Sequence, residues 1–398
     1  MVKRLGSAVV AASLLTVAGF VRVAEGDSPP INALRRYEPR LYDVSYTVTI
    51  QTQAATGDAA RYGLFQFDEA PIVMPVIFMG QYSKVFVNTD QGFVFVNEHR
   101  VPPEKLAMSR EKDKPYNTHL LRMVVPQVTP QMMARSVRWG VSFRTQTWSA
   151  DIDENLAQRT AWPRDRAWPD HVKDGLAAQW GIESDNPIFR TMVQAAYGDH
   201  LLTETPYRLA KKIVADTINN FQINGEGVNR GLYGLHGLNM RGALAVVTTP
   251  DRVKRWIGTE HDLVCVCIAL LRAAGIPARP VIGLEEILTG TGDKTTFVSW
   301  GEFYLPNSGW VAFDPNAIRG KGGSQYSNLA NKWEFFGRLD DLNRRVVLAY
   351  HFIPPATVET PRNPALWGWD PRPQKQPSYD QTITFTITKR GRGEDDPG

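Results

Sequence analysis

The sequence is short of the features that announce most activities. In 398 residues it has two cysteines, Cys265 and Cys267. They stand two apart in an apolar run with helical spacing, so their side chains diverge and a disulfide between them is disfavoured. A chain of this length can rely on its own core without cross-links, even outside the cell. Charge of one sign is also lacking. The 45 Lys and Arg residues nearly balance 41 Asp and Glu, and the signs are interleaved, which leaves no electrostatic footprint for nucleic acid. No HExxH, CxxC or GxxxxGK[ST] pattern occurs, so the sequence indicates no metal or cofactor. Past the N-terminus no apolar run approaches the ~20 residues of a membrane helix.

What is present suits a globular protein of two or three domains, with 43% hydrophobic and 22% charged residues. Lys3 and Arg4 precede an apolar stretch from Ala8 to Val21, and Ala24-Glu25-Gly26 fits a small-residue cleavage site. Residues 1–26 therefore read as a secretory signal, which predicts a secreted or periplasmic protein; left uncleaved, the segment would be a membrane anchor. From Leu41 to Gln53, Val44, Tyr46, Val48 and Ile50 alternate with Ser and Thr, the pattern of a half-buried strand. Further strands are expected at Gly63 to Phe67, Lys84 to Asn88, Phe93 to Asn97 and Arg135 to Trp148. The run Asn88-Thr-Asp-Gln-Gly92 predicts a hairpin between the second and third of these. Such spacing suggests a β-sandwich-like domain over residues 40–150, read as a structural or interaction module.

Residues 149–184 form a connector with Trp162-Pro163 and Trp168-Pro169, aromatic anchors over a core or, alternatively, part of a carbohydrate-binding surface. Helices are predicted to start at Pro187 and Pro206, each behind a capping residue. The second presents Leu209, Ala210, Ile213, Val214, Ile218 and Phe221 on one face. Asn224 to Asn239 reads as a loop; its His236 is more simply solvated than a substitute base. From Thr259 a helix should run through Leu263, Val264, Cys267, Ile268, Leu270 and Leu271 to a stop at Gly275 and Pro277. Glu260, His261 and Asp262 cluster at its start, but helical neighbours do not share a face. A strand at Ala278 to Gly283 and two strands around Pro306-Asn-Ser-Gly309 follow. After Asp314 the chain is Gly- and Asn-rich to about Asn331, and Arg345 to Ile353 reads as a strand closing the core sheet. Residues 356–398 form a Pro-rich extension, with Trp367 and Trp369 in loop, one strand at Gln381 to Lys389, and a tail from Gly391.

Two segments resemble the transglutaminase-like superfamily, the papain-related cysteine enzymes: Leu-Leu-Arg-Ala-Ala-Gly-Ile-Pro-Ala-Arg (270–279) and Gly-Trp-Val-Ala-Phe-Asp-Pro (309–315). The resemblance covers roughly residues 168–355. It implies an α+β fold, a papain-like core of a helix packed on an antiparallel sheet, preceded by the all-β sandwich-like domain. In that family a Cys at the helix N-terminus is the nucleophile, a His on a strand its base, and an Asp on the next strand orients the His. Counted along the motifs, those positions are Glu260, Val298 and Asp314. Two of the three catalytic side chains are thus missing. The resemblance then implies an exported, catalytically inactive protein acting as a binding or structural scaffold for peptide or polysaccharide. The alternative is a hydrolase or amide-modifying enzyme using Glu260 with Asp314, or a thiol relocated to Cys265 or Cys267. If only two side chains were lost, Glu260→Cys with Val298→His should rebuild a triad on Asp314.

Overall fold

A computed structural model describes residues 32–52, 63–86, 91–112, 118–198, 200–230, 235–287, 294–321, 328–352 and 366–393. The expected signal, residues 1–26, lies outside them. The first half of the chain supplies β1 (Leu34–Thr52), β2 (Ala70–Pro75), β3 (Ser83–Val85), β4 (Gln91–Val96) and β5 (His99–Arg100). It continues with β6 (Ala107–Lys112), β7 (His119–Val125) and β8 (Ser136–Ile152). Helices α1 (Glu154–Arg159), α2 (Asp170–Lys173), α3 (Pro187–Tyr197), α4 (His200–Thr203) and α5 (Pro206–Asn220) follow. Next come β9 (Phe221–Ile223), β10 (Val228–Arg230), β11 (Leu235–Leu238), α6 (Ala243–Thr248) and β12 (Trp256–Gly258). The centre is α7 (Glu260–Ala273), β13 (Ala278–Ile287), β14 (Lys294–Leu305), β15 (Gly309–Phe313) and α8 (Pro315–Gly320). The chain closes with β16 (Arg345–Ala349), β17 (Gly368–Trp369) and β18 (Tyr379–Arg392).

β1 organises the first layer because its alternation is strict: Val44, Tyr46, Val48 and Ile50 are buried while the residues between them are not. It pairs antiparallel with β8 on one side and with β18 on the other. β18 is longer than the sequence suggests and takes in Gly391, expected in the tail; residues 394–398 lie outside the described residues. Residues 87–90, which hold most of the expected turn between β3 and β4, lie outside the described residues, and among those described the two strands do not pair with each other. Both strands pair with β8, β3 opposite Thr145–Thr147 and β4 opposite Val137–Ser142, one after the other along the same edge. A turn-forming sequence does not choose the strands' partner, and the long β8 offers backbone to both.

A second sheet, in the order β17-β2-β7-β6, faces the first. Gly63 to Phe67, expected as a strand, contributes one bridge, Phe67 to Val128. Trp367 and Trp369, expected in a loop, are buried, and Trp369 stacks on Trp139 at 5.7 Å between ring centres. Their indoles fill the space between the sheets, which outweighs the loop-like Pro content around them.

The core sheet runs β15-β14-β13-β16, and α7 packs on it with His261 to Arg272 all buried. α7 ends where expected: Gly275 takes φ +84° and the Ile276 N–H closes on the Leu271 carbonyl at 2.9 Å. Trp168 is a packing anchor, its indole N–H donating to the Gly275 carbonyl at 2.9 Å. The 224–239 segment is not all loop, since β10 and β11 form in it and β11 reaches β18. The segment after Asp314 begins with α8, for which Asp-Pro supplies cap and first residue. Sandwich and core share apolar and polar contacts: Phe297 meets Tyr46 and Phe385, and Tyr42 donates to Glu286 at 2.9 Å.

Gly301 of β14 lies directly opposite Phe313, and a Cβ there would collide with the Phe313 ring. Phe303 and Phe336 pack around that ring, so it has little freedom to withdraw. Gly301→Ala is expected to cost about 2 kcal/mol in urea unfolding. A loss under about 0.5 kcal/mol would show that the core sheet relaxes more freely than this packing allows.

Candidate functional site

The start of α7 is built by its capping residues. Thr259 is the N-cap, and the carboxylate of Asp262 reaches back to accept its N–H at 2.9 Å. The other Asp262 oxygen accepts the N–H groups of Arg241 and Gly242, each at 2.8 Å, tying the preceding segment to the helix. Glu260 is the first helical residue, with 45% of its side chain exposed. Gly227 crosses directly over it, close enough that any side chain at 227 would meet the Glu260 carboxyl. Burial, Asp314 and Glu285 all push the Glu260 carboxyl pKa upward.

His261 points inward. It is fully buried, and its Nδ1 lies 2.7 Å from the hydroxyl of Ser299 on β14. Burial drives its pKa down to about 4, against a weaker opposite effect of the Gly227 carbonyl. The ring is therefore neutral near pH 7. Its Nε2 stands 3.9 Å from a Glu260 carboxyl oxygen and completes no hydrogen bond. Val298, one residue before Ser299, is half-buried and lies opposite Gly283 in the sheet.

Asp314 caps α8. One oxygen accepts the N–H groups of Asn316 and Ala317 at 3.0 Å each; the other accepts from Arg345 Nη1 at 2.6 Å. Asn316 in turn donates its side-chain amide to the Glu260 carbonyl at 3.2 Å, which joins the start of α8 to the start of α7. Glu260 and Asp314 are thus brought near each other, while Val298 is placed only by its strand position, one residue before the Ser299 that His261 meets. Arg345, which opens β16, is the residue that motif reading did not supply. It is 5% exposed and also holds Asp341 at 3.1 Å and Glu285 at 3.4 Å. Burial alone would lower its pKa, but the three carboxylates more than offset that and raise it. The only sequence signal for this hub is an arginine at the head of an otherwise apolar strand.

Cys265 and Cys267 are both buried and free, and burial raises both thiol pKa values. His236 lies in β11. Among the described residues no group of three or more His, Cys, Asp and Glu side chains could hold a metal ion. No helix among them is long and apolar enough to cross a membrane. A surface cavity of about 740 Å³ opens elsewhere, between Asn32–Arg35, Asp151–Asn155 and Ala330–Lys332.

A capped helix start set against a strand and a following Asp is the plan of a transglutaminase-like core. The model of the Transglutaminase-like superfamily matches residues 203–315, and the chain carries a domain of that superfamily. In fold, the chain is similar to a crystal structure from Cytophaga hutchinsonii described as a candidate cysteine protease. The TM-score is 0.52 at 14% identity, over 91% of this chain and 94% of that one. A second structure, a candidate protease from Parabacteroides distasonis, aligns at 12% identity over 68% of this chain and 63% of its own. Its TM-score of 0.22 is too low to bear on the fold. No curated protein matches the sequence.

Proposed function

We propose that the chain is an exported, catalytically silent transglutaminase-like protein whose cleft binds peptide or polysaccharide without cutting or joining amides. The observation that carries this reading is the state of Asp314. At the position of the family's orienting acid, its oxygens already serve two backbone N–H groups and the Arg345 guanidinium. Glu260 and Val298, at the positions the family motif gives to Cys and His, supply neither thiol nor imidazole. A carboxylate pair of Glu260 and Asp314 is disfavoured on the same ground, because Asp314 is 5% exposed and fully engaged. The sandwich ahead of the core then acts as a structural or interaction module, and export rests on the N-terminal signal pattern.

A relocated thiol is the enzyme reading most open to direct test. Alkylation of the native protein with iodoacetamide at pH 8 is expected to leave Cys265 and Cys267 unmodified, with both labelled once the chain is unfolded in urea. The cause is burial, which blocks access and disfavours thiolate. Rapid labelling of either residue in the native state would put a reactive thiol back into the core and overturn the silent reading.

A further inference from the structure

We propose that the outer face of the first sheet docks a polyanionic glycan whose acidic sugars are separated by neutral ones. This rests on the sandwich being an interaction module, gives that module its partner, and uses none of the residues around Glu260. Strand register defines the face. Residues paired across a sheet point the same way, and the β1 residues that alternate with its buried positions turn outward. One outward row runs Arg100, Phe95, Arg138, Thr49 and Thr382, across β5, β4, β8, β1 and β18. Thr47 with Thr384, then Ser45 with Thr386, form the next two rows. The fourth row sets Asp43 between Arg144 and Thr388. Lys84 of β3 stands one step further along β8, opposite Gln146.

Cations gather at both ends of this face. Arg144 and Arg390 share the carboxylate of Asp43, at 2.8 and 2.5 Å. Arg390 is there because β18 bulges. Leu41 pairs with Gly391 and Tyr42 with Lys389, which leaves Arg390 out of the register and aimed over Asp43. Gly391, at φ +148°, takes the backbone conformation the bulge requires. At the other end Arg138 lies 4.3 Å over the Phe95 ring, and neither it nor Arg100 has a carboxylate partner among the described residues. Against Lys84, Arg100, Arg138, Arg144 and Arg390 these rows set Asp43 and, beside Gln51 at the far corner, Asp380. An anion is favoured here and a cation repelled.

Between the charged ends lie hydroxyls and two half-buried rings. Phe93 and Phe95 meet edge to face at 6.1 Å, and Phe93 lies over Gly140, where a Cβ would strike it. Such rings stack against the C–H faces of sugars, and Ser and Thr hydroxyls both donate and accept, as sugar hydroxyls do. Arg138 and Arg144 are six residues apart on β8, which is about 20 Å. A nucleic-acid strand carries a charge on every residue and would set its middle phosphates against hydroxyls alone. A glycan that alternates acidic and neutral sugars spaces its charges out.

The test uses the full chain and four probes: hyaluronan oligosaccharides, dextran, poly-glutamate and oligothymidine. Calorimetric binding at low salt is expected for hyaluronan and not for neutral dextran, and it should weaken as salt is added. Arg100→Gln with Arg138→Gln should weaken it about tenfold or more, and Arg144→Gln at the opposite end should weaken it too. The two variants lie apart, so a folding defect in one does not decide the result. Arg164→Gln with Arg252→Gln removes as much charge from exposed positions elsewhere and should leave affinity unchanged. The proposal is overturned by absent hyaluronan binding, by equal binding of dextran, or by undiminished affinity in the Arg100 and Arg138 variant. Tighter binding of poly-glutamate or oligothymidine would also overturn it, by assigning the face to an acidic peptide or a nucleic acid. Such a failure leaves the silent reading of the cleft standing, because thiol alkylation tests that reading separately.

Discussion

Replacing Arg345 with Met is expected to cost about 3–5 kcal/mol of folding stability, because a buried cation is removed from three carboxylates that depend on it. Met keeps an unbranched apolar stem in place of the Arg345 stem, near the Trp300 ring from which the guanidinium lies 5.6 Å away. The loss is therefore mainly electrostatic. Its pH dependence has a defined sign. Burial already pushes the Glu285 carboxyl upward, with the Arg345 guanidinium as the main opposing influence, so removing Arg345 should raise it further above its unfolded value. A carboxylate in that condition weakens the fold when ionised and ceases to do so when protonated. The deficit should be full near pH 7 and shrink as pH falls through the raised value. Arg345→Lys keeps the charge but loses the fork geometry, and should retain part of the stability. Urea unfolding of both variants at pH 7 and pH 4.5 measures this. A deficit below about 1 kcal/mol, or one that grows in acid, would contradict a charge hub at Arg345.

The parts of this fold that were legible in the sequence are those written in local chemistry. The span of α7 follows from Thr259, the apolar run and Gly275; β1 follows from its alternation; the start of α5 follows from Thr205-Pro206. What was not legible was chosen by distant partners. β2 is wholly buried, but Pro71 and Pro75 disguise it as loop. β3 and β4 were each visible, yet their pairing was decided by the length of β8. The pairing of His261 with Ser299 joins residues 38 apart, and no periodicity marks it. The Arg345 hub is the same kind of case. The motif that ends at Asp314 says where the acid is, but not that an arginine 31 residues later engages it. That engagement bears directly on the expectation that two substitutions would rebuild the triad.

Glu260→Cys with Val298→His should then fail to produce an activated thiol, and this is the second large expected effect. A rebuilt imidazole would need Asp314 to fix and charge it. One Asp314 oxygen is held by the Asn316 and Ala317 N–H groups, and the other by Arg345. The neighbouring guanidinium also opposes a second positive charge on the new imidazole. Asp314 and Glu285, which raise the pKa of Glu260, would raise that of a thiol in its place. Only the helix N-terminus favours thiolate, and it is outweighed.

On the proposed reading, the site is silent not only for want of two side chains but because Asp314 is committed elsewhere. The most direct test is the pH profile of iodoacetamide alkylation of the thiol introduced at position 260 in that double variant, with the single Glu260→Cys variant alongside. Cys265 and Cys267 are sealed in the core and should not interfere. Nearly the same profile is expected for both variants, with a thiol pKa at or above about 8.5. A thiol already ionised at about pH 6 in the double variant alone would mean that Asp314 still orients an imidazole, and would contradict its commitment to Arg345 and α8.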